Sequence, residues 1–507
     1  MGASAPSAWT YLRGAGYAAP RVVAALLALP GVRDVLPAYD SMLVEHEPGR
    51  PRRDELLRAA DAAGEAEAGE ARVVEVPVAY GGEHGPDLGD VAARAGLTPE
   101  AAAALHASAE YEVRAVGFSP GFPFLAGLPP ALAAPRRPEP RARVPAHSVG
   151  IANHQSGVYP VASPGGWNLV GRALVAVYDP RRDEPFLLGV GDRVRFVAAP
   201  AGPRADPPPD PEPLELLPEE SALPAFEVVA PGLLDLVVDA GRFRAGRFGL
   251  ARGGPLDAPA ARLANLLVGN DPGAPVLEMT LTGPTLRAVA PCVAAVTGPA
   301  LTPLVDGREA PAYEGLALRA GSELRFVPTG RGARSYLAVA GGVDARRFMG
   351  SASVDLRGLI GRPLRAGDAL GRSRPAAPPA GRRFEPHGAR PAAGGGPLGR
   401  RVRVRLLPGP QADPDAWAAL LEGELVVEAA DRTGLRLAGR EVPGGEVTSE
   451  GVPIGAVQVP PGGKPIVLLA DRGTLGGYAK PAVVHPADLP RLAQLRPGDR
   501  LLFVAAR

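Results

Sequence analysis

The sequence predicts a mainly β protein with some α, built from several small barrels or sandwiches in tandem. Three observations carry this. First, Gly 65 and Pro 60 in 507 residues demand many turns and short strands. Second, runs such as ARVVEVPVAY, PCVAAVTG and RVRVRLL are rich in β-branched or alternating apolar residues and lie between turn signals. Third, a turn glycine leads into a similar strand three times, at Gly191-Asp-Arg-Val-Arg-Phe-Val, Gly321-Ser-Glu-Leu-Arg-Phe-Val and Gly498-Asp-Arg-Leu-Leu-Phe-Val. Each copy reads as the closing strand of one unit.

At roughly 100–200 residues per domain, the length predicts about three domains. Residues 1–70 read as a small α+β module. Within it, residues 1–20 lack a clear pattern and Pro20–Leu29 has helical spacing with proline in the first turn. Val32–Pro37 and Ser41–Glu45 are strands around a turn, and Asp54–Glu70 is helical. Residues 71–199 read as a barrel. Two helices, Asp87–Ala95 and Thr98–Ala107, enter it, the second with Thr98 as N-cap and Pro99 in its first turn. Its segment Gly117–Pro129 (GFSPGFPFLAGLP) crowds Phe, Gly and Pro, which predicts an irregular loop held by aromatic packing. Residues 200–224 are a Pro-rich acidic linker, expected to be a semi-extended spacer. Residues 225–371 and 400–507 read as two halves of a further barrel, separated by a low-complexity loop at 372–399. In the first half, Asp257 caps a helix that Gly269 ends.

Composition excludes several function classes. The net charge is +1, from 55 basic and 54 acidic residues, so there is no electrostatic footprint for nucleic acid or an anionic membrane. The one cysteine, Cys292, sits in an apolar run, which excludes an intrachain disulfide and a multi-cysteine metal site. The N-terminus lacks a signal-peptide pattern, and AAPRVVAALLALPGV is too short to span a membrane. A cytoplasmic protein is expected.

The chain has two lysines, Lys464 and Lys480, both in the Gly-rich stretch 450–480 beside Asp471 and Arg472. All other basic residues counted with them are arginine, so a retained ammonium draws attention, although a solvated surface charge is the plainer reading. Lys480, Asp471, Arg472 and Gln458 form a candidate polar cluster at a Gly-rich turn with Gly476, Gly477 and Tyr478. Exposed backbone N–H groups bind anions, and flanking cations offset charge developing in phosphoryl or carboxyl transfer. Asn265 is mid-helix, where Asn is a poor helix former, and Glu278 lies in an apolar strand. Glu278 therefore faces solvent or pairs with a cation across a cleft. His147 and His154, seven residues apart, are a weak metal pair without a third ligand, and no metal site is expected. There is no Walker A motif around Lys464, no HExxH, and no Met-Lys pair for biotin attachment. GFSPG has the letters of a nucleophile elbow without the following helix.

A second echo links Val149–Trp167 (VGIANHQ…PGGW) to Ile454–Tyr478 (IGAVQ…LGGY), each running from a small-residue strand through Gln155 or Gln458 to a Gly-Gly-aromatic corner. Inter-barrel clefts then become natural binding sites.

GFSPGFPFLAGLP and SVGIANHQSGVYPVASPGGWNLVGR resemble the allophanate-hydrolase-subunit-1-like family, the B subunit of 5-oxoprolinase. GRFGLARGGPLDAPAARLANLLVGN, VLEMTLTGP, YLAVAGGVD and GAVQVPPGGKPIVLLADRGTLGGYAKPA resemble the partner family, the C subunit of 5-oxoprolinase, which is related to the carboxyltransferase domain of urea carboxylase. The resemblance covers residues 31–199 and 226–507, and implies a B–C fusion with cyclophilin-like β-barrels in tandem. It also implies an enzyme that uses ATP with Mg2+ to activate the lactam of 5-oxo-L-proline, by phosphorylation, for ring opening to L-glutamate. A separate protein of the LamB/YcsF-like kind, the 5-oxoprolinase A subunit, would complete hydrolysis, and self-association stays open. The same ancestry implies two alternatives. One is a biotin-dependent carboxyltransferase of the urea amidolyase type, with biotin carried by another protein. The other is a non-enzymatic histidine-kinase inhibitor and anti-inhibitor fusion, which a single chain disfavours. Lys480, Asp471, Asn265 and Glu278 are the candidate catalytic residues. Gln458, Lys464, Arg472, Gly476, Gly477, Tyr478, Phe122, His147 and Gln155 are the candidate binding residues. Residues 1–20 lack the strand with which this family opens.

Overall fold

The computed structural model describes residues 8–14, 16–65, 70–199, 206–376 and 400–506. The N-terminal module holds strand β1 (Ala8–Arg13), helix α1 (Pro20–Ala28), the hairpin β2 (Val32–Ala38) and β3 (Ser41–His46), and helix α2 (Arg53–Glu65). β1 pairs antiparallel with β3, so an opening strand is present where the sequence showed no pattern. Its period-2 signal is hidden because only Leu12 among its residues is buried. The apolar faces of α1 and α2 close a small core over this sheet around Leu12, Val22, Leu26, Val35 and Leu56.

The next unit comprises β4 (Val73–Tyr80), α3 (Leu88–Ala95), α4 (Pro99–Ser108), β5 (Glu110–Val116), β6 (Pro123–Ala126), β7 (Arg141–Val144), β8 (Ser148–Ala152), β9 (Gln155–Val158), β10 (Ser163–Gly165), β11 (Asn168–Ala173) and β12 (Arg193–Ala198). The Thr98 side chain accepts from Ala101 N–H and caps α4. Strands β5-β12-β4-β11-β8-β9-β6 form a ring that a β5–β6 pairing closes. β6 lies inside the segment read as an irregular loop. Its backbone finds partners on both β5 and β9. The expected aromatic packing is there: Phe122 has ring contacts with Phe124, Tyr159 and Trp167 at 5.0–5.4 Å.

The Pro-rich linker is more than a spacer. Leu214 forms a parallel bridge with Ile360, and Leu216 is buried in the core of the following domain. Apolar side chains within the proline run give it an anchor that its mean composition conceals.

The middle domain holds β13 (Pro224–Ala230), β14 (Asp235–Val238), α5 (Ala258–Leu267), β15 (Val276–Thr280), β16 (Thr285–Ala288), β17 (Cys292–Thr297), β18 (Leu301–Val305), β19 (Arg308–Glu309), β20 (Gly315–Leu318), β21 (Glu323–Pro328), β22 (Arg334–Val339) and β23 (Ala369–Gly371). They form two sheets, β19-β18-β21-β16-β13-β23 and β14-β15-β22-β17-β20, with α5 packed against β22 and β17. The Gly321 echo therefore does not close a barrel. Its strand, β21, lies within a sheet between β18 and β16.

The last unit contains β24 (Arg401–Pro408), α6 (Pro414–Leu421), β25 (Glu424–Ala430), β26 (Gly434–Ala438), β27 (Glu446–Gly451), β28 (Ala456–Val459), β29 (Ile466–Leu468), β30 (Leu475–Val484), α7 (Leu489–Leu492) and β31 (Arg500–Ala505). The ring β24-β31-β25-β26-β29-β28-β30 closes through a β24–β30 pairing, with β27 attached to β30. The stretches 225–371 and 400–507 are thus not two halves of one barrel. Among the described residues no strand of one joins a sheet of the other, and the second closes on itself.

The two closed barrels have the same strand order. Taking the strands of each ring as a to g in chain order, both run a-g-b-c-e-d-f, and in both the first and last strands pair in parallel. The Val149 and Ile454 echoes lie at equivalent places in this order, but the glutamines do not. Gln155 opens β9 and Gln458 lies within β28. Residues 1–7, 15, 66–69, 200–205, 377–399 and 507, within which parts of the module, helix, linker and loop expectations fall, lie outside the described residues.

Buried Asp235 in β14 offers a test of packing. Gly232 N–H donates to its Oδ2, while Oδ1 is buried without a partner among the described residues. Burial pushes this carboxyl up to about 6. The folded state then binds the proton more tightly than the unfolded chain does, so stability falls as pH rises from about 4 through about 6. Asp235→Asn should raise stability at pH 7.5 by on the order of 1–3 kcal/mol and leave it little changed at pH 4, read from urea unfolding at both pH values.

Candidate functional site

Three units meet at a cavity of about 1170 Å3. β1 and Pro48 of the N-terminal module form one wall. The Arg252–Pro259 segment, one face of α5 and the Asp271–Ala274 turn form the second. The β24 end and the segment from Val483 to Pro490 form the third. Most of the lining is Ala, Val, Leu and Pro, which gives a rigid apolar chamber with a few polar groups, as in ligand sites generally. Those groups include Tyr11, Arg252, Arg262, Asn265, Asp271 and His485. Arg252 is fixed by an ion pair with Glu45 (2.6 Å) and lies over the Phe243 ring at 4.4 Å.

A buried charge network backs the second wall. Asp257 caps α5 through Ala260 N–H and also accepts from Gln494 Nε2 at 2.9 Å. Glu278 is 1% exposed and is paired with cations, the second of the two outcomes open to it in an apolar strand. It accepts from Arg432 Nη1, from Tyr336 Oη (2.8 Å) and from Leu256 N–H (2.9 Å), with Arg334 at 3.8 Å. Burial opposes its ionisation, but Arg432 and Arg334 outweigh this and hold it below the usual carboxylate range. Arg432 also grips both oxygens of Asp471, at 2.7 and 2.9 Å, and donates to Gly254 O at 2.8 Å. Burial pushes the Asp471 carboxyl up while the Arg432 fork opposes it.

The candidate residues fall in several places. Asn265 lines the cavity, and its amide is anchored: Nδ2 donates to Ala274 O and Oδ1 accepts from Asn270 Nδ2. Glu278 and Asp471 come together through Arg432, behind the cavity wall. Lys480 stands apart. Its Nζ is fully buried, 3.1 Å from Glu450 and from Tyr478 O, and does not line the cavity. Burial pushes its ammonium down while Glu450 opposes this. Gly476, Gly477 and Tyr478 belong to β30 rather than to an open anion-binding turn, and Gly476 and Tyr478 pair with β27. Gln458 is buried against Gly476, and its Nε2 has no hydrogen-bond partner among the described residues. Lys464 is a surface residue, 66% exposed, with Glu428 at 3.6 Å. Arg472 donates to Val452 O and lies over the Trp9 ring at 5.6 Å. Burial lowers its guanidinium to about 10.

On the first barrel, Phe122 is a core aromatic and Gln155 hydrogen-bonds Tyr39. His147 is buried and donates from Nε2 to Pro209 O at 3.2 Å. His154 is exposed at the opposite end of β8, so the two histidines do not converge. Among the described residues no group of three Asp, Glu, His or Cys could hold a metal ion, and no helix is long and apolar enough to cross a membrane.

Sequence reasoning missed Trp9, Tyr11, Arg13, Arg252, Arg262 and Arg432. One signal was available for Arg432: Ala430-Asp431-Arg432 repeats Ala470-Asp471-Arg472.

Two closed barrels of one strand order, one before and one after a two-sheet domain in the chain, with the cavity where the N-terminal module, that domain and the last barrel meet, define a tandem-barrel architecture. The carboxyltransferase domain, subdomain A and B, matches residues 248–505, and subdomain C and D matches residues 15–188. The chain is 46% identical over 180 residues to the 5-oxoprolinase B subunit of Escherichia coli O157:H7, covering 35% of this chain and 83% of that protein. It is 36% identical over 295 residues to the 5-oxoprolinase C subunit of Escherichia coli K12, covering 55% of this chain and 90% of that protein. The crystal structure of TTHA0988 superposes with a TM-score of 0.91 at 52% identity, covering 98% of this chain and 100% of that one. The chain belongs to the carboxyltransferase-domain family of the 5-oxoprolinase B and C subunits, with both regions in one polypeptide.

Arg432→Met should cost about 3–5 kcal/mol, because it leaves Glu278 and Asp471 buried without their main cation. Lys464→Ala should stay within about 0.5 kcal/mol of the parent chain. Calorimetry on both variants checks the contrast.

Proposed function

We propose that this chain is the fused B and C component of a 5-oxoprolinase. It uses ATP to activate the lactam of 5-oxo-L-proline, and a separate A subunit then completes ring opening to L-glutamate. The observation that supports this most is the pair of matches: each half of the chain covers most of one 5-oxoprolinase subunit, and the cavity has walls from both halves.

The cavity has the groups this chemistry needs. Arg252 and Arg262 offer guanidinium donors for carboxylate or phosphate. The apolar walls exclude water from a reactive phosphorylated lactam. In the activating step the lactam oxygen attacks the γ-phosphorus of ATP, the new P–O bond forms, and ADP leaves. Magnesium would offset charge on the phosphates there. The two carboxylates among the cavity's described lining residues are Asp239 and Asp271. Asp239 is already engaged by Gly241, Ser351, Ala352, Ser353 and Arg347. Asp271 accepts from Gly273 N–H at one oxygen, which suits it to hold a phosphate-bound magnesium that otherwise keeps its waters.

The purified chain mixed with an active A subunit should release glutamate from 5-oxo-L-proline only when ATP is present. No release under those conditions would reject the reading. Ala258→Trp, at the exposed start of α5 in the cavity wall, should lower kcat/KM at least about tenfold with an unchanged melting temperature.

A further inference from the structure

We propose that Trp9 is a ligand-contacting residue of the cavity, and that the Arg13–Glu450–Lys480 cluster is the positioning device that keeps it there. The ligand it fits is a flat ring carrying an anionic group. This rests on the reading that the cavity is the reaction site.

Most of the cavity is built from residues 238–276 and 407–490. The N-terminal module adds β1 and Pro48. Along β1 alternate side chains share a face, which places Trp9, Tyr11 and Arg13 together. Trp9 and Tyr11 line the cavity, and Arg13 reaches past it to Glu450. Trp9 is half-buried, and the Arg472 guanidinium lies over its ring. Among the described lining residues Trp9 carries the one indole and Tyr11 the one phenol ring, and aliphatic and proline side chains make most of the rest. Arg252 and Arg262 line the same chamber. An aromatic face and guanidinium groups in one apolar chamber suit a planar ring with a carboxylate or phosphate. A lactam carboxylate and a nucleotide share this chemistry.

β1 is held by backbone pairing along one side and by side-chain bonds on the other. On one it pairs with β3. On the other, Tyr11 Oη donates to Gly451 O at 2.6 Å and Arg13 Nη2 donates to Glu450 Oε2 at 2.8 Å. Glu450 Oε1 in turn accepts from Gln411 Nε2 at 2.6 Å and lies 3.1 Å from Lys480 Nζ. The buried ammonium thus acts on the cavity through Glu450 and Arg13, without touching ligand.

Trp9 is one of three tryptophans, with Trp167 in another core and Trp417 partly buried against the core of the last barrel. In a Trp167→Phe/Trp417→Phe chain, Trp9 emission should change saturably on titration with 5-oxo-L-proline or with ATP, and the two titrations tell which ligand meets the ring. In the otherwise native chain, Trp9→Ala should raise KM for that ligand about five- to tenfold. Arg13→Ala, at an exposed side chain, should shift the Trp9 emission to the red without ligand and raise the same KM at unchanged kcat, with Arg13→Lys restoring both. Unchanged emission with both ligands, or a native KM for both in Trp9→Ala, overturns the ligand contact. Unchanged emission and KM in Arg13→Ala overturn the positioning role. A chain that turns over 5-oxo-L-proline with native KM values for both 5-oxo-L-proline and ATP in Trp9→Ala refutes this inference alone. A chain without turnover whose Trp9 still titrates with 5-oxo-L-proline refutes the proposed reaction alone.

Discussion

Arg432 sits in the turn between β25 and β26 of the last barrel and reaches into the middle domain. It meets Glu278, both oxygens of Asp471 and the carbonyl of Gly254. Each of these groups has been taken out of water, at a cost of several kcal/mol per ion that only close, complete pairing offsets. The arrangement therefore has little tolerance. If Arg432 shifts, two carboxylates are stranded, so the barrel and the middle domain must dock in one register. The same constraint shapes the cavity wall. Gly254 O is held by Arg432, Leu256 N–H by Glu278 and Gly253 N–H by Ala470 O (3.3 Å), so the Arg252–Leu256 segment is fixed at three successive points.

The N-terminal module is held by a second set of charges. Asp34 accepts from Gly246 N–H, Glu45 pairs with Arg252, and Arg13 pairs with Glu450 across 437 positions in sequence. Gly451 makes the closest approach there: a Cβ at this position would come within 2.5 Å of Leu43 Cβ. The cavity is thus bounded by surfaces that meet only because these long-range pairs form. Little solvent reaches this seam, where Asp34 is 5% and Glu45 2% exposed, and burial with repulsion from Glu45 raises the Asp34 carboxyl to about 7.

Local features of the fold were legible in the sequence because they depend on local physics. Thr98-Pro99 and Asp257 mark helix starts through bonds to residues three positions on. Strands such as β4, β24 and β31 show as β-branched or alternating apolar runs, and the Gly191 and Gly498 echoes do mark the last strand of each ring. The Gly321 echo misled because a turn glycine followed by an alternating strand is stabilised equally well inside an open sheet. β1 was invisible because only Leu12 of its residues is buried, and the contacts that hold Tyr11 and Arg13, at Gly451 and Glu450, lie far away in sequence. The site was less legible still. Arg432 is one arginine among many, and nothing local tells which guanidinium will be buried. The two lysines show the same limit: scarcity singled out both, but one is an exposed surface charge and the other a buried clamp, and only burial separates them.

Fusion of the two regions changes what these contacts cost. In two separate polypeptides, the Arg13–Glu450, Tyr11–Gly451 and Glu45–Arg252 pairs would form only after association, against the loss of translational and rotational freedom. In one chain they are intramolecular, with an effective concentration set by the linker. The linker strengthens this effect, because Leu214 and Leu216 dock on the middle domain and leave less free chain between the two regions. Marginal contacts can then hold a wall permanently in place. A half-exposed strand such as β1, with Leu12 as its one buried side chain, is a weak element alone, yet as a tethered one it can complete a cavity built mainly from the other region.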